Sequence, residues 1–545
     1  MRTTGGSAPA PATAAKRNVR RSRTTEKILA ALARPDTYPH RPTSVEVRET
    51  HISWVFLAGH RAYKLKKPLV LPFLDYGTGK RRRIMCREEV RLNRPLAPDI
   101  YLGVRGIATS PDGVELTAED DPRALEFVVE MRRYDEGDTL AGSLERGELD
   151  REQVVAVAGV LAQFHARARR VVAGGAAVIA VERRFEENLH ELFTRVEQRG
   201  ELDRALALER FAHAFIAAHA GTFDVRGRSG CVREGHGDLR ADHVLVDGNV
   251  RIVDWLEFDR ELRELDVADD LAFLVLDLAA RGGERFGEQL VHAYRSAGGE
   301  PGDDALIAFY AAHRALVRAK VALVRAGQHP AESAAHGHAS AQARDLMALA
   351  ERFAWRARLP LVIVICGVPA SGKSHLPRAL AESSGLPHLS SDVTRKRLVG
   401  VAATHRAPSG AYGWQLNART YGELARRAAK AVAAHGGAIV DATFRHLADR
   451  EAFASPFAGH APLLFLECHA PRAVLAERGA RREREPARVS DADLGVVLRE
   501  CETWEPLDEV PASAHLALRT DRPLEEIVGN VLALLDRQLH DSHPA

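Results

Sequence analysis

The 545-residue chain is predicted to fold as two domains of different class: an α+β domain, then an α/β domain built on a doubly wound parallel sheet. Three observations predict this. A chain of this length exceeds what one hydrophobic core organises. Its N-terminal half opens on alternating, strand-like runs and then becomes mainly helical. Its last third begins with the apolar run Leu361–Cys366, continues into Gly-Val-Pro-Ala-Ser-Gly-Lys-Ser at 367–374, and then alternates strands with helices. That alternation is the pattern of a parallel sheet, which binds ligands at the carboxyl ends of its strands.

Composition narrows the classes. Hydrophobic residues make up 46% and charged residues 28% of the chain, the balance of a soluble globular protein. A net charge of +2 gives no global attraction to nucleic acid or to a membrane surface. The five cysteines (Cys86, Cys231, Cys366, Cys468, Cys501) are scattered, odd in number and without a C-x-x-C pair. This argues against a disulfide framework and against a zinc site, and the expected location is the reducing cytoplasm. No apolar stretch reaches membrane-spanning length, so no membrane partner is expected. Residues 1–25 are rich in Ala, Pro, Thr, Gly and Arg and read as a disordered basic tail without the apolar core of a signal peptide.

The first domain is expected over 26–352. From 44 to 71, two alternating runs flank Ala58-Gly59-His60 and predict a hairpin. In its second run Lys64 and Lys66 share one face, Tyr63 and Leu65 the other. A helix is predicted over 80–96, a strand over 125–131, and mainly helices from 150 to about 223, then again over 278–325. Within this half stands Gly235-His236-Gly237-Asp238-Leu239-Arg240-Ala241-Asp242-His243, followed by a short strand, an Asp-Gly-Asn turn and a strand ending in Asp254. Two carboxylates placed by one hairpin divide the labour of phosphoryl transfer: one accepts a hydroxyl proton, the other holds Mg²⁺ against ATP phosphates.

This motif resembles the catalytic loop and metal-binding aspartate of aminoglycoside phosphotransferase-like kinases, whose fold is protein-kinase-like. The resemblance implies Asp238 as catalytic base and Asp254 as metal ligand. It also implies Lys64 or Lys66 as the ATP-facing lysine, Glu89 as its helix partner, and Met131 near the adenine hinge. The acidic run 266–270 resembles the segment that follows the metal aspartate in that family. The stretch from Ala62 to Asn93 resembles, more narrowly, a subgroup found fused to a P-loop kinase. In two respects the chain departs from the pattern. His243 stands where the family has the Asn that ligates the other Mg²⁺, and no G-x-G-x-x-G loop precedes the lysine strand.

Residues 327–339, rich in Ala, His and Gly, read as a linker, 340–358 as a helix, and the domain boundary is placed near Phe353. Over 353–545 the sequence 367–374 is G-x-x-x-x-G-K-[ST]. The backbone of Gly367, Val368, Pro369, Ala370, Ser371 and Gly372 shapes a phosphate nest, with N–H groups at every position but Pro369; Lys373 reaches the β/γ-phosphates and Ser374 ligates Mg²⁺. A helix follows over 376–381, and a short strand over 387–392 ends in Asp392. Strands over 438–444, 462–468 and 515–519 alternate with helices over 471–484, 491–501 and 524–539. Asp441 closes an apolar strand, as the Mg²⁺-holding aspartate of P-loop proteins does. Asp392 with Arg395 forms D-x-x-R, which resembles the acceptor site of polynucleotide kinases and zeta-toxin-like kinases. There the Asp activates a hydroxyl and the Arg holds the acceptor. Arg478, Arg481, Arg482 and Arg484 resemble the lid arginines of small-molecule P-loop kinases, which neutralise the transferring phosphoryl group.

The expected protein is therefore a bifunctional, ATP- and Mg²⁺-dependent phosphotransferase acting on hydroxyl groups of small molecules. Two other readings fit the same residues. In one, the N-terminal half is a metabolite-sensing pseudokinase that regulates a C-terminal ATPase. In the other, the chain phosphorylates nucleic-acid 5′-hydroxyl ends, a partner that the net charge does not support.

Overall fold

The computed structural model describes residues 23–71, 74–110, 113–171, 177–196, 198–405, 408, 412–483 and 494–542. The chain gathers into two compact units, one of Met1–Ala168 with Glu234–Leu265, the other of Arg169–Arg233 with Asp266–Ala545. Of the expected tail, 1–22 lie outside the described residues. The last three residues do not continue it: helix α1 (Arg23–Leu32) already starts there, because Ile28 and Leu32, four residues apart, bury one face.

The first unit is organised by a six-stranded antiparallel sheet of β1 (Val45–Glu49), β2 (Ser53–Ala58), β3 (Arg61–Lys66), β4 (Tyr101–Ser110), β5 (Gly113–Ala118) and β6 (Ala124–Arg132), in the order β1-β2-β3-β6-β4-β5. The run expected as one strand before Gly59 breaks at Thr50, whose Oγ1 accepts from Ser53 N at 3.0 Å and closes a tight turn without glycine or proline. The pleat of β3 sorts its side chains as the alternation predicts. Tyr63 and Leu65 join Trp54, Phe56, Ile28 and Leu32 in one core cluster. Lys64 and Lys66 point the other way, to helix α2 (Gly79–Asn93), which Thr78 caps through a bond from Arg81 N at 3.3 Å. Helix α3 (Arg151–Arg167) starts from an Asp150/Gln153 capping box. The antiparallel pair β7 (Val244–Leu245) and β8 (Arg251–Ile252) forms the expected hairpin between the two motif aspartates.

The second unit joins a helical layer to a parallel sheet. The layer comprises α4 (Ala177–Phe193), α5 (Arg199–Ala218), α6 (Val267–Ala280), α7 (Asp304–Ala326) and α8 (Ala334–Arg356). Phe185, Phe211, Phe215 and Phe309 stack in its interior, Phe215 on Phe309 at 4.5 Å. Helix α8 begins inside the expected linker, since Ser333 caps it and Ala339 is buried. The sheet strands are β9 (Leu361–Cys366), β10 (His388–Ser390), β11 (Gly437–Asp441), β12 (Leu463–His469) and β13 (His515–Arg519). Their order is β10-β11-β9-β12-β13 and every pairing is parallel. Strand β9 is buried on both faces. Val362, Val364 and Cys366 meet Tyr421, Leu424 and Ala428 of α11 (Trp414–His435), while Leu361, Ile363 and Ile365 meet Trp355 and the helix Leu524–Ser542.

Around this sheet, in chain order, lie α9 (Leu376–Ser384), α10 (Ser391–Leu398), α11, α12 (Arg472–Glu483), α13 (Leu494–Glu502) and α14 (Leu524–Ser542). The expected boundary near 353 falls inside this second unit. Arg358 pairs with Asp536 of α14 and lies 4.5 Å over the ring of Phe211 of α5. Among the described residues, no helix is long and apolar enough to cross a membrane.

Candidate active sites

In the first unit Lys64 of β3 sits between two carboxylates, 2.9 Å from Glu89 of α2 and 2.6 Å from Asp254. Lys66, one pleat along and fully buried, is 2.6 Å from Glu89 and also pairs with Glu257, which Tyr76 OH bonds in turn. Glu89 thus serves both lysines, and Lys64 is the one that reaches Asp254. Burial pushes both ammonium groups toward neutrality, but the facing carboxylates outweigh it and hold them charged well beyond the ordinary lysine range. The surrounding protein desolvates Asp254, yet the Lys64 ammonium beside it holds its carboxyl below the ordinary range.

Asp254 adopts φ +64, a left-handed conformation that Asp tolerates better than most residues. The turn is braced on both sides. Tyr101 OH accepts from Asp254 N at 3.1 Å, and Asn93 Oδ1 accepts from Trp255 N at 3.1 Å. His236 orders the Asp238 loop: its Nε2 donates to Val253 O at 2.9 Å and its Nδ1 accepts Asp238 N–H at 3.3 Å. His243 donates Nδ1–H to Asp238 O at 2.9 Å and stands 3.6 Å from Asp254 Oδ2 through Nε2. One loop and one hairpin therefore bring Asp238, His243 and Asp254 together, with Lys64 and Glu89 behind Asp254. Met131 is buried in β6, paired with Ala62 and Tyr101, and packs with Leu57 and Val253.

In the second unit the loop after β9 curls as a phosphate nest does. Gly372 has φ +93, and a Cβ there would come within 2.7 Å of Thr520. Gly367 has φ +135, and a Cβ would meet Cys468 O at 2.6 Å. Buried Ser371 Oγ finds no hydrogen-bond partner among the described residues. A cradle that only glycine fits, with a polar atom left over inside it, suits an anion. Lys373 bends back on the loop, donating to Val368 O at 2.8 Å and to Gly367 O. Helix α9 starts at Leu376, so the exposed Ser374 precedes its first turn.

Burial pushes the Lys373 ammonium below the ordinary lysine range, and the charges of Asp441, Glu500 and Asp392 partly offset this. Asp441, at the end of β11, bonds His388 and, at 3.5 Å, Ser390 Oγ. Asp392 does not close a strand: β10 stops at Ser390, and Asp392 lies in the first turn of α10, because extended Ser390 stands at the N-cap of that helix. Burial first and Asp441 second push its carboxyl above the ordinary range, and Arg395 and Lys373 only partly offset this. Glu500 of α13 is likewise pushed up by burial, with Arg445 3.9 Å away and Lys373 pulling the other way. Arg395 bonds Asn417 Oδ1 and lies 4.9 Å over the Tyr412 ring.

The arginines of α12 divide. Arg478 donates to Thr520 Oγ1 at 3.1 Å and to Thr520 O at 2.8 Å, whereas Arg481 is exposed. The side chain of Arg482, and Arg484 altogether, lie outside the described residues. Thr520 Oγ1 also bonds Ser371 O and, at 3.0 Å, His469 O, tying the nest to the neighbouring strand.

Sequence reasoning missed Glu257, Tyr76, Glu500 and Thr520. Thr520 alone carried a signal, standing one residue beyond a parallel strand on the ligand-binding rim.

Comparison with known proteins finds two families along the chain. Residues 105–309 match the family described as "Phosphotransferase enzyme family", and residues 362–507 match "AAA domain". Uncharacterized proteins of Mycobacterium tuberculosis and Mycobacterium bovis are 35% identical over 446 residues, 80% of this chain and 85% of theirs. Among solved structures, a gluconokinase from Sinorhizobium meliloti 1021 is 26% identical and covers 34% of this chain and 97% of its own, with a TM-score of 0.25. A choline/ethanolamine kinase family protein from Mesorhizobium loti is 16% identical and covers 59% of this chain and 95% of its own, with a TM-score of 0.36.

Proposed function

The chain belongs to one family with these mycobacterial proteins, joining a phosphotransferase-family domain to a P-loop kinase-like domain, and from that premise we propose that it is a bifunctional kinase. Each half transfers the γ-phosphate of ATP to a hydroxyl group of a small molecule. One observation carries the reading. Each half holds its own set of a lysine, a carboxylate that acts on that lysine, and a second motif aspartate nearby, Asp238 in one and Asp392 in the other.

In the N-terminal centre Lys64, oriented by Glu89, binds phosphate oxygens, and Asp238 takes the proton of the acceptor hydroxyl. In the C-terminal centre Lys373 leaves its two loop carbonyls for the phosphates, the nest N–H groups hold the β-phosphate, and Asp392 accepts the proton. Its raised pKa suits a base that works near neutrality. Arg395 grips the acceptor, and Arg478 and Arg481 approach the donor. Mg²⁺, held by Asp254 in one half and by Asp441 with Ser374 in the other, supplies charge neutralisation on the phosphates.

The test is a γ-labelled ATP screen with the full chain, offering sugars, aminoglycosides, nucleosides, nucleotide sugars and oligonucleotides. Lys373→Ala is expected to remove one transfer activity and Asp238→Asn a different one. Full turnover of every acceptor by Asp238→Asn would make the N-terminal half a binding module instead. Labelled oligonucleotide ends, with binding that weakens steeply in salt, would favour a nucleic-acid kinase.

A further inference from the structure

Arg240 stands two residues after Asp238, and its guanidinium contacts three other side chains of the same loop. Nε donates to Asp238 Oδ2 at 3.2 Å, Nη2 donates to His243 Nε2 at 2.7 Å, and Nη1 lies 3.6 Å from Asp242 Oδ2. Its charge also acts on Asp254. Kinase folds place two Mg²⁺ ions in this region, one on the aspartate after the hairpin and one on the Asn of the catalytic loop. Here that Asn position is His243, and both its ring nitrogens are committed. Nδ1–H goes to Asp238 O at 2.9 Å, and the Nε2 lone pair goes to Arg240. No donor of His243 remains for an ion.

A guanidinium is permanently charged and donates in a planar fork suited to carboxylate and phosphoryl oxygens. Set among Asp238, Asp242 and Asp254, it meets the negative charge that a second dication would otherwise meet. We propose that the N-terminal centre uses a single divalent cation, on Asp254, and that Arg240 takes the place of the second, donating to the transferring phosphoryl group. Asp254 alone then determines whether any metal binds in that half. The inference rests on reading this half as an ATP site.

Bound Mn²⁺ is counted by electron paramagnetic resonance on the full chain, with a saturating β,γ-imido analogue of ATP. Asp254→Asn, which keeps the size and the left-handed tolerance of the residue, is expected to lose one Mn²⁺ relative to the parent. Loss of two overturns the single-ion assignment while leaving the ATP site standing. Loss of none overturns the ATP-site reading itself, and the inference with it.

The parent spectrum needs no variant and is expected to lack the dipolar broadening of two ions about 3.5–4 Å apart. Its presence overturns the proposal. Arg240→Ala combined with His243→Asn frees the position and is expected to bind one further Mn²⁺ and to show that broadening. An unchanged count in a folded double variant overturns the role given to Arg240.

Discussion

Lys64 and Lys66 lie two residues apart on one face of one strand and share Glu89, yet they are not equivalent. Lys64 borders the half-exposed Asp254, whereas Lys66 and Glu257 are almost wholly out of water. Lys64→Met should lower N-terminal transfer on the order of 100-fold or more, with little change in melting temperature, in initial rates and thermal melts. Lys66→Met leaves Glu257 buried without its counter-charge and should cost about 3–5 kcal/mol of stability by denaturant titration.

The two motif carboxylates also oppose each other in sign. Asp254 titrates below its unfolded value, so its contribution to stability is present above the unfolded carboxylate pKa and is lost as pH falls through the folded one. Asp392 titrates above its unfolded value, so the folded state holds the extra proton and stability falls as pH rises through that window. At pH 7, Asp392→Asn should therefore raise the melting temperature and Asp254→Asn should lower it. A common direction of shift would contradict these environments. None of this contrast is visible in the sequence. Both residues stood out as aspartates at motif positions, but the choice between Lys64 and Lys66 needed the reach of each side chain across the sheet to Asp254 and Glu257, contacts some 190 residues apart in the chain.

The strongest local signals predicted elements well. Strand β9 and its loop were legible because a buried parallel strand followed by G-x-x-x-x-G-K-S has few other uses. β4 and β5 were passed over because Gly103 and Gly106 interrupt the alternation in the first of them, and a register shift at Gly103 breaks its pairing. The Thr50 turn escaped for the opposite reason, having no glycine or proline to announce it. Pro387–Ser390 reads as extended and points to a strand ending at Asp392, but the Ser-Asp that follows is a helix start.

Thr520 shows what an element end contributes beyond its strand, since it binds the nest, the end of β12 and Arg478 at once. Thr520→Val keeps the shape and removes those bonds. It should weaken nucleotide-analogue binding at the C-terminal centre by roughly tenfold, about one to two hydrogen bonds' worth, in a fluorescence or calorimetric titration. Unaltered affinity would mean that the nest holds its curvature without this strut.

For the whole molecule, the two-class architecture and the phosphotransferase-family and P-loop kinase-like character of the halves were legible, because each carries a contiguous motif, the Asp238 loop in one and the loop 367–374 in the other. The packing of the helical layer on the parallel sheet was not, since it depends on surfaces and not on motifs. Trp355 leaves α8 to enter the core with Leu361, Val531 and Leu535, and α14 lies against α5. Trp355→Ala should cost about 3–5 kcal/mol and loosen the P-loop sheet together with α8, read by hydrogen exchange. Confinement of the loss to α8 alone would show that the two layers melt independently.

The buried Arg358–Asp536 pair, seated over Phe211, also bears on inheritance. A mutation that split the gene near codon 353 would put α5 in one product and α14 in the other, each with an apolar face suddenly wet. Such fragments would have to find each other again or be cleared by proteases. An intact reading frame avoids that cost, because it keeps the helical layer and the parallel sheet in one polypeptide.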